Sequence, residues 1–161
     1  MMSRQRFRRV VGTATGARVA QLSVMTQAHG RAASGEHRPL IALAEDNAEL
    51  RGLLATALEA VGYRVVQAAT GERLVATVQT LLGAGEPLRL IVTDVRMPTL
   101  GGLEAAQTLR ILGHATPLIF MTAYGDAWTR ARATELGAVL LDKPLSIAML
   151  RNAVAIMLAA A

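Results

Sequence analysis

"LRLIVTDVRMPTLGG", Leu88 to Gly102, joins an apolar run to an acid and then to a loop rich in Pro and Gly. "LRLIVTD" has the length of a strand, and its near-continuous apolar character suits a strand covered on both faces. Asp94 ends it. Pro98, Gly101 and Gly102 break the backbone, and a helix is expected over roughly 103–112. A buried strand that feeds a helix through a short loop is half of a βαβ unit, so the neighbouring sequence should repeat the pattern.

It does so on both sides. "PLIALAED", 39–46, is a strand ending in Glu45-Asp46, and Asn47 can cap the helix that follows. That helix carries Leu50, Leu53, Leu54, Ala57, Leu58 and Val61 as one apolar stripe, and Gly62 stops it. "YRVVQAA" is a second strand. "TGERLVATVQTLL" sets Leu74, Val75, Val78, Leu81 and Leu82 on one helical face, and "GAGEP" is a loop. After the central stretch, "TPLIFMTA" is a fourth strand. "GDAWTRARATELG" is a short helix with Asp126 as cap and Gly137 as stop, and "AVLLD" is a fifth strand. Beyond Lys143-Pro144, Ser146 can cap a last helix with Leu150, Ala153, Val154, Met157 and Leu158 on its face. Strand and helix alternate five times. This predicts an α/β fold, a doubly wound five-stranded parallel sheet with five helices. Ligands of such sheets sit beyond the carboxyl ends of the strands.

Those ends carry Glu45 and Asp46, Asp94, Thr122 and Lys143. The second strand offers nothing ionisable there, as expected of a strand at the sheet edge. Taken singly, an Asp at a strand end is a turn or cap residue and a Lys-Pro is a surface turn. Together they are three carboxylates, a hydroxyl and a cation on one rim. Two carboxylates about 4 Å apart repel by roughly 4 kcal/mol at an effective dielectric near 20, so three together need a cation. Oxygen donors without His or Cys favour a hard divalent ion, and Mg²⁺ fits, taking one or two carboxylates, waters and a phosphate oxygen. With a phosphoryl group present, an Asp carboxylate can be the nucleophile, Lys143 a second positive centre and the Thr122 hydroxyl a donor. Lys143 is the only lysine among seventeen basic residues. Lys is a compact point charge where Arg is a wide fork, which suits a narrow site needing one cation.

At 161 residues, 52% of them apolar, the chain can bury a core, and the prior is one domain. It has no cysteine, which excludes disulfides, zinc-thiolate sites and Cys nucleophiles. No apolar run approaches the roughly 18 residues of a membrane helix. The net charge of +5 is unevenly spread. Residues 1–38 carry seven Arg against Glu36 alone, whereas 39–161 is nearly neutral, with ten basic and eleven acidic residues. The organisation expected is a basic, disordered extension, 1–38, before one domain, 39–161. The extension reads in three ways: a solvated segment with Met25 as an internal start, an arm for nucleic acid or lipid, or a targeting segment. Arg8-Arg9 is a twin arginine with no apolar stretch after it, which argues against export.

"LAEDN" at 43–47, "IVTDVRMPTLGG" at 91–102, "FMTAYGD" at 120–126 and "LLDKPLS" at 140–146 together closely resemble the receiver domain of two-component response regulators. The likeness covers about 39–160 and is nearest to the single-domain, chemotaxis-type regulators. It implies the flavodoxin-like (βα)5 receiver fold. It implies that Asp94 is the phosphoacceptor, loaded from a sensor histidine kinase or a histidine phosphotransfer protein. Glu45, Asp46, Asp94 and the backbone carbonyl of Arg96 would hold Mg²⁺. Thr122 would be the switch hydroxyl, and Lys143 would pair with the phosphoryl group, its bond to Pro144 cis. The expected protein is a cytoplasmic, stand-alone regulator and no general enzyme, catalysing only its own phosphotransfer and dephosphorylation. It would signal through contacts with a downstream protein target, on a surface including the fourth helix, the fifth strand and a partly exposed Trp128. Homodimerisation stays open.

Three features depart from the family pattern. The interval from Thr122 to Lys143 looks one residue shorter than usual, so the fifth strand is expected to enter differently. Val139, Leu140 and Leu141 stand where an aromatic switch residue is common. No effector domain is expected after the last helix. Arg96 and Tyr124 flank the site and are the side chains expected to set the phosphoryl lifetime. Other readings remain: a phosphorylation-independent pseudo-receiver acting as a protein-binding module, a haloacid-dehalogenase-type phosphatase, and a nucleic-acid-binding protein acting through its basic tail. The phosphatase reading needs an acid where Arg96 stands, and no helix-turn-helix or aromatic-studded basic motif supports the last.

Overall fold

Short apolar runs ending at Pro, Gly or an acid become strands here, and each is followed by the helix its spacing predicts. The computed structural model describes residues 38–160. Along them run β1 (Leu40–Ala44), α1 (Ala48–Glu59), β2 (Arg64–Ala68), α2 (Gly71–Gly83) and β3 (Leu88–Asp94). Next come α3 (Gly102–Ile111), β4 (Leu118–Thr122), α4 (Ala127–Glu135), β5 (Val139–Asp142) and α5 (Ile147–Ala160). The strands form one parallel sheet in the order β2-β1-β3-β4-β5. The doubly wound sheet stands as expected, with β2 at an edge. The basic extension expected over 1–38 lies outside the described residues except for Arg38, whose Nε donates to the Gly62 carbonyl at 3.1 Å.

Alternation along the strands builds two cores. Leu40, Ala42, Ile91, Leu118 and Phe120 face one side with Leu74, Val78, Leu103, Leu109 and Ala133 of α2, α3 and α4. Ile41, Leu43, Leu90, Val92, Ile119 and Met121 face the other, with Leu54, Leu58, Leu150 and Val154 of α1 and α5. Burying a side chain of this size contributes about 1.5–3 kcal/mol, so each central strand is secured from above and below.

The caps read at Asn47, Asp126 and Ser146 form: Asn47 and Asp126 each accept a backbone N–H three residues on, and Ser146 accepts that of Met149; Thr70 caps α2 in the same way. The α1 stripe needs correction. Leu53 is 57% exposed and Val61 47%. The stripe centres on Leu54, flanked at equal angles by Leu53 and Ala55, and the sheet takes Ala55. Val61 lies past the end of the helix, where helical spacing no longer applies. Trp128 is exposed on α4.

Candidate functional site

In a parallel sheet all carboxyl ends share one rim, and the strand order decides which become neighbours. From β1 the chain steps outward to β2 and then returns to β3 on the opposite side. The direction of winding therefore reverses between β1 and β3, which leaves a crevice at their ends. Ala44 is in register with Thr93, so Glu45 emerges beside Asp94. Thr122 ends β4 next door, and the Lys143 backbone N–H donates to the Thr122 carbonyl at 2.7 Å. Thr122 is in register with Asp142 at the end of β5.

Glu45, Asp46 and Asp94 each present an oxygen within 4.8 Å of the others. Glu45 and Asp94 are buried, while Asp46 is exposed. Lys143 reaches across the rim, with Nζ 2.8 Å from Glu45 Oε2 and 3.2 Å from Asp94 Oδ2. Burial raises Asp94 above its ordinary 3.8, against the lowering pull of Lys143 and of a backbone bond from Arg96. Burial likewise raises Glu45 above its ordinary 4.5, opposed by its bond to Lys143. Desolvation alone would lower Lys143, but its bond to Glu45 and the charge of Asp94 outweigh it and raise the ammonium above its ordinary 10.5. One ammonium thus stands against three carboxylates. An all-oxygen cluster with surplus negative charge fits a hard divalent cation of the Mg²⁺ type, held by these carboxylates with room for water.

Thr122 is buried, and its Oγ1 accepts the Tyr124 N–H at 3.1 Å, which leaves its proton for another acceptor. Arg96 lies two residues past Asp94 in the turn leaving β3. Its guanidinium carbon sits 5.0 Å from the centroid of the Tyr124 ring, a cation–π contact beside the site. The Lys143–Pro144 peptide is cis. In the aromatic's place, Leu140 packs into the Phe120 core and Leu141 into the opposite one.

Two features escaped sequence reading. A Cβ on Gly102 would collide with the carbonyl oxygen of Asp94 itself, and one on Gly101 would meet that of Val95. The Gly-Gly pair thus lets the loop fold back against the acceptor strand. Arg51 also bonds to the carbonyls behind the acidic pair. Its position one turn after the Asn47 cap was the only signal available.

A family model described as the response regulator receiver domain matches residues 41–155. Among curated relatives, the "Probable transcriptional regulator ycf27" of Cyanophora paradoxa is 39% identical over 61% of this chain and 38% of its own. "Transcriptional regulatory protein CpxR" of Escherichia coli is 36% identical over 66% of this chain and 43% of its own. "Transcriptional regulatory protein FixJ" of Azorhizobium caulinodans is 37% identical over 74% and 54%. The chain spans about half the length of these relatives, or less. A Francisella response regulator receiver domain superposes with a TM-score of 0.69 at 25% identity, covering 76% of this chain and 98% of that one. A CheY-like receiver from Methanospirillum hungatei shares the fold, with a TM-score of 0.70 at 22% identity over 77% and 96%. Among the described residues no helix is long and apolar enough to cross a membrane.

Proposed function

The chain belongs to the response regulator receiver domain family, and on that premise we propose that Asp94 accepts a phosphoryl group from a phosphohistidine. The donor is a sensor histidine kinase or a histidine phosphotransfer protein, which places the reaction in the cytoplasm. An Asp94 carboxylate oxygen attacks phosphorus. The new P–O bond forms as the P–N bond to the donor imidazole breaks, and the imidazole leaves with the electron pair and takes up a proton. A divalent cation bound by Glu45, Asp46, Asp94 and the Arg96 carbonyl supplies charge neutralisation for the phosphoryl oxygens. Lys143 already reaches Asp94 and offers a second positive charge, and the Thr122 hydroxyl has a proton to donate. Glu45 and Asp46 remain ligands, so the domain catalyses only its own loading and its own hydrolysis. The observation that carries this reading is Asp94 itself, buried at the switch point of the sheet with the ammonium of the sequence's single lysine 3.2 Å away.

Output through protein contacts suits the exposed Trp128 and an uncharged groove of about 330 Å³ along β5 and α5, lined by Val139, Leu141, Met149 and Ile156. The test is binding of beryllofluoride, a phosphoryl mimic, followed by amide NMR shifts. Saturable binding that needs both Mg²⁺ and Asp94, and is lost in Asp94→Asn, is the expected result. Silence in the wild type would leave a pseudo-receiver that binds partners without phosphorylation.

A further inference from the structure

The acidic pair lies in a three-residue loop, Glu45-Asp46-Asn47, that must leave a strand and enter a helix while keeping two carboxylates side by side. Its backbone accounting is unusual. One residue, Arg51, takes the carbonyls of all three positions. Its main-chain N–H donates to Asn47 O at 2.8 Å in the first turn of α1. Its Nη1 donates to Glu45 O at 2.7 Å and makes a longer contact to Asp46 O at 3.4 Å. The carboxylates are held from the other side, where the Asn47 N–H donates to Asp46 Oδ1 at 3.0 Å and Glu45 Oε1 at 3.3 Å. Asn47 Oδ1 is itself committed to capping Leu50 at 2.9 Å.

We infer that Arg51 is a positioning residue for the metal-binding carboxylates, acting through their carbonyls. An arginine is usually expected to meet an acid head-on, and a bidentate pair would occupy the lone pairs that a cation needs. Here the guanidinium bonds the peptide oxygens instead. It adds a positive charge beside a surplus of negative charge and fixes the loop, while taking none of the carboxylate oxygens, which are left to Lys143, the Asn47 N–H and a cation. Both side-chain contacts come from one nitrogen, Nη1, so a lysine ammonium in its place serves them in part. This inference rests on the proposed phosphoacceptor reading, since it concerns the cation site of that reaction.

The test measures Mg²⁺ affinity by titration calorimetry, with apo melting temperatures alongside, for wild type, Arg51→Ala, Arg51→Lys and Arg151→Ala. Arg151 is the control, because it clamps the Ala57 carbonyl of α1 at 2.8 and 3.0 Å and bonds to no residue of the rim. Loss of a group orienting metal ligands weakens binding by about 10–100-fold. Arg51→Ala should show that loss, Arg51→Lys should recover part of it, and Arg151→Ala should lower the melting temperature without changing Mg²⁺ affinity. The loss should persist at high salt, where a purely through-space charge effect is screened. If Arg51→Ala does not fold, the partial loss in Arg51→Lys carries the test alone. Wild-type affinity in the Arg51 variants, an equal loss in Arg151→Ala, or a loss abolished by salt would each overturn the positioning role. Failure of the wild type to bind Mg²⁺ would instead overturn the phosphoacceptor reading beneath it.

Discussion

Glu45 and Asp94 are 2% and 7% exposed, lie beside Asp46, and share one ammonium between them. Without a cation the arrangement serves binding at the expense of stability. Removing a charge by Asp94→Asn relieves repulsion from two acids but forfeits the ion pair with Lys143. At an effective dielectric near 20 these opposed terms are a few kcal/mol each, so a net gain on the order of 1 kcal/mol is expected in metal-free protein. The direction of the pKa shifts gives the pH dependence. Glu45 and Asp94 hold their protons more tightly folded than unfolded. Their contribution is therefore fully present below the ordinary 4.5 and 3.8, and is lost as pH rises through the raised folded values. Asp126 behaves oppositely. The Thr129 backbone bond lowers it, so its contribution is present above the ordinary 3.8 and lost as pH falls through the depressed value. Urea midpoints in EDTA should thus rise as pH falls from neutral toward the raised pair, more shallowly in Asp94→Asn. A flat wild-type profile would remove the repulsion account.

The loop from β3 to α3 shows what an element must do to serve a site. Gly102 opens α3 directly against the carbonyl of Asp94, and its N–H donates to Val95 O at 3.0 Å. An added methyl has only backbone and the Thr93 side chain to push against. Gly102→Ala should therefore cost about 1–3 kcal/mol, the usual penalty of overpacking, and should also weaken Mg²⁺ binding by shifting Asp94. Thermal melts with Mg²⁺ titrations check both, and an unchanged Mg²⁺ affinity would separate the loop from the site. Every element of the described fold was legible from apolar period and caps, because both are local in sequence. So was the rim, because parallel strands must end on one side. What was not legible depends on distance in space. Leu53 and Ala55 are equivalent by angle until a sheet chooses between them. The glycines read as turn residues, although Gly102 is required by an approach of backbone to backbone. Arg51 carries no signal in the sequence beyond its place one turn after a cap.

At the scale of the molecule, one sheet divides two cores, with α1 and α5 on one side and α2, α3 and α4 on the other. Neither core owns its strands. Successive residues of β4, Leu118 to Met121, alternate between the two, so no half can lose its packing while the other keeps an intact sheet. Unfolding should accordingly be a single event wherever the damage is made. Phe120→Ala empties a fully buried site in one core and should cost about 3–5 kcal/mol; Leu58→Ala in the other should cost about 2–5 kcal/mol. Because the two side chains sit on opposite faces with no shared packing partners, the costs should add to within about 0.5 kcal/mol in the double variant. Urea unfolding followed by far-UV circular dichroism and by Trp128 fluorescence should give coincident curves in all three variants, with the slope unchanged. Divergence of the two probes in either single variant would mean that the helical layers melt separately. The sheet would then be two half-domains sharing a border, and the rim at its switch point would lose the rigidity on which its chemistry depends.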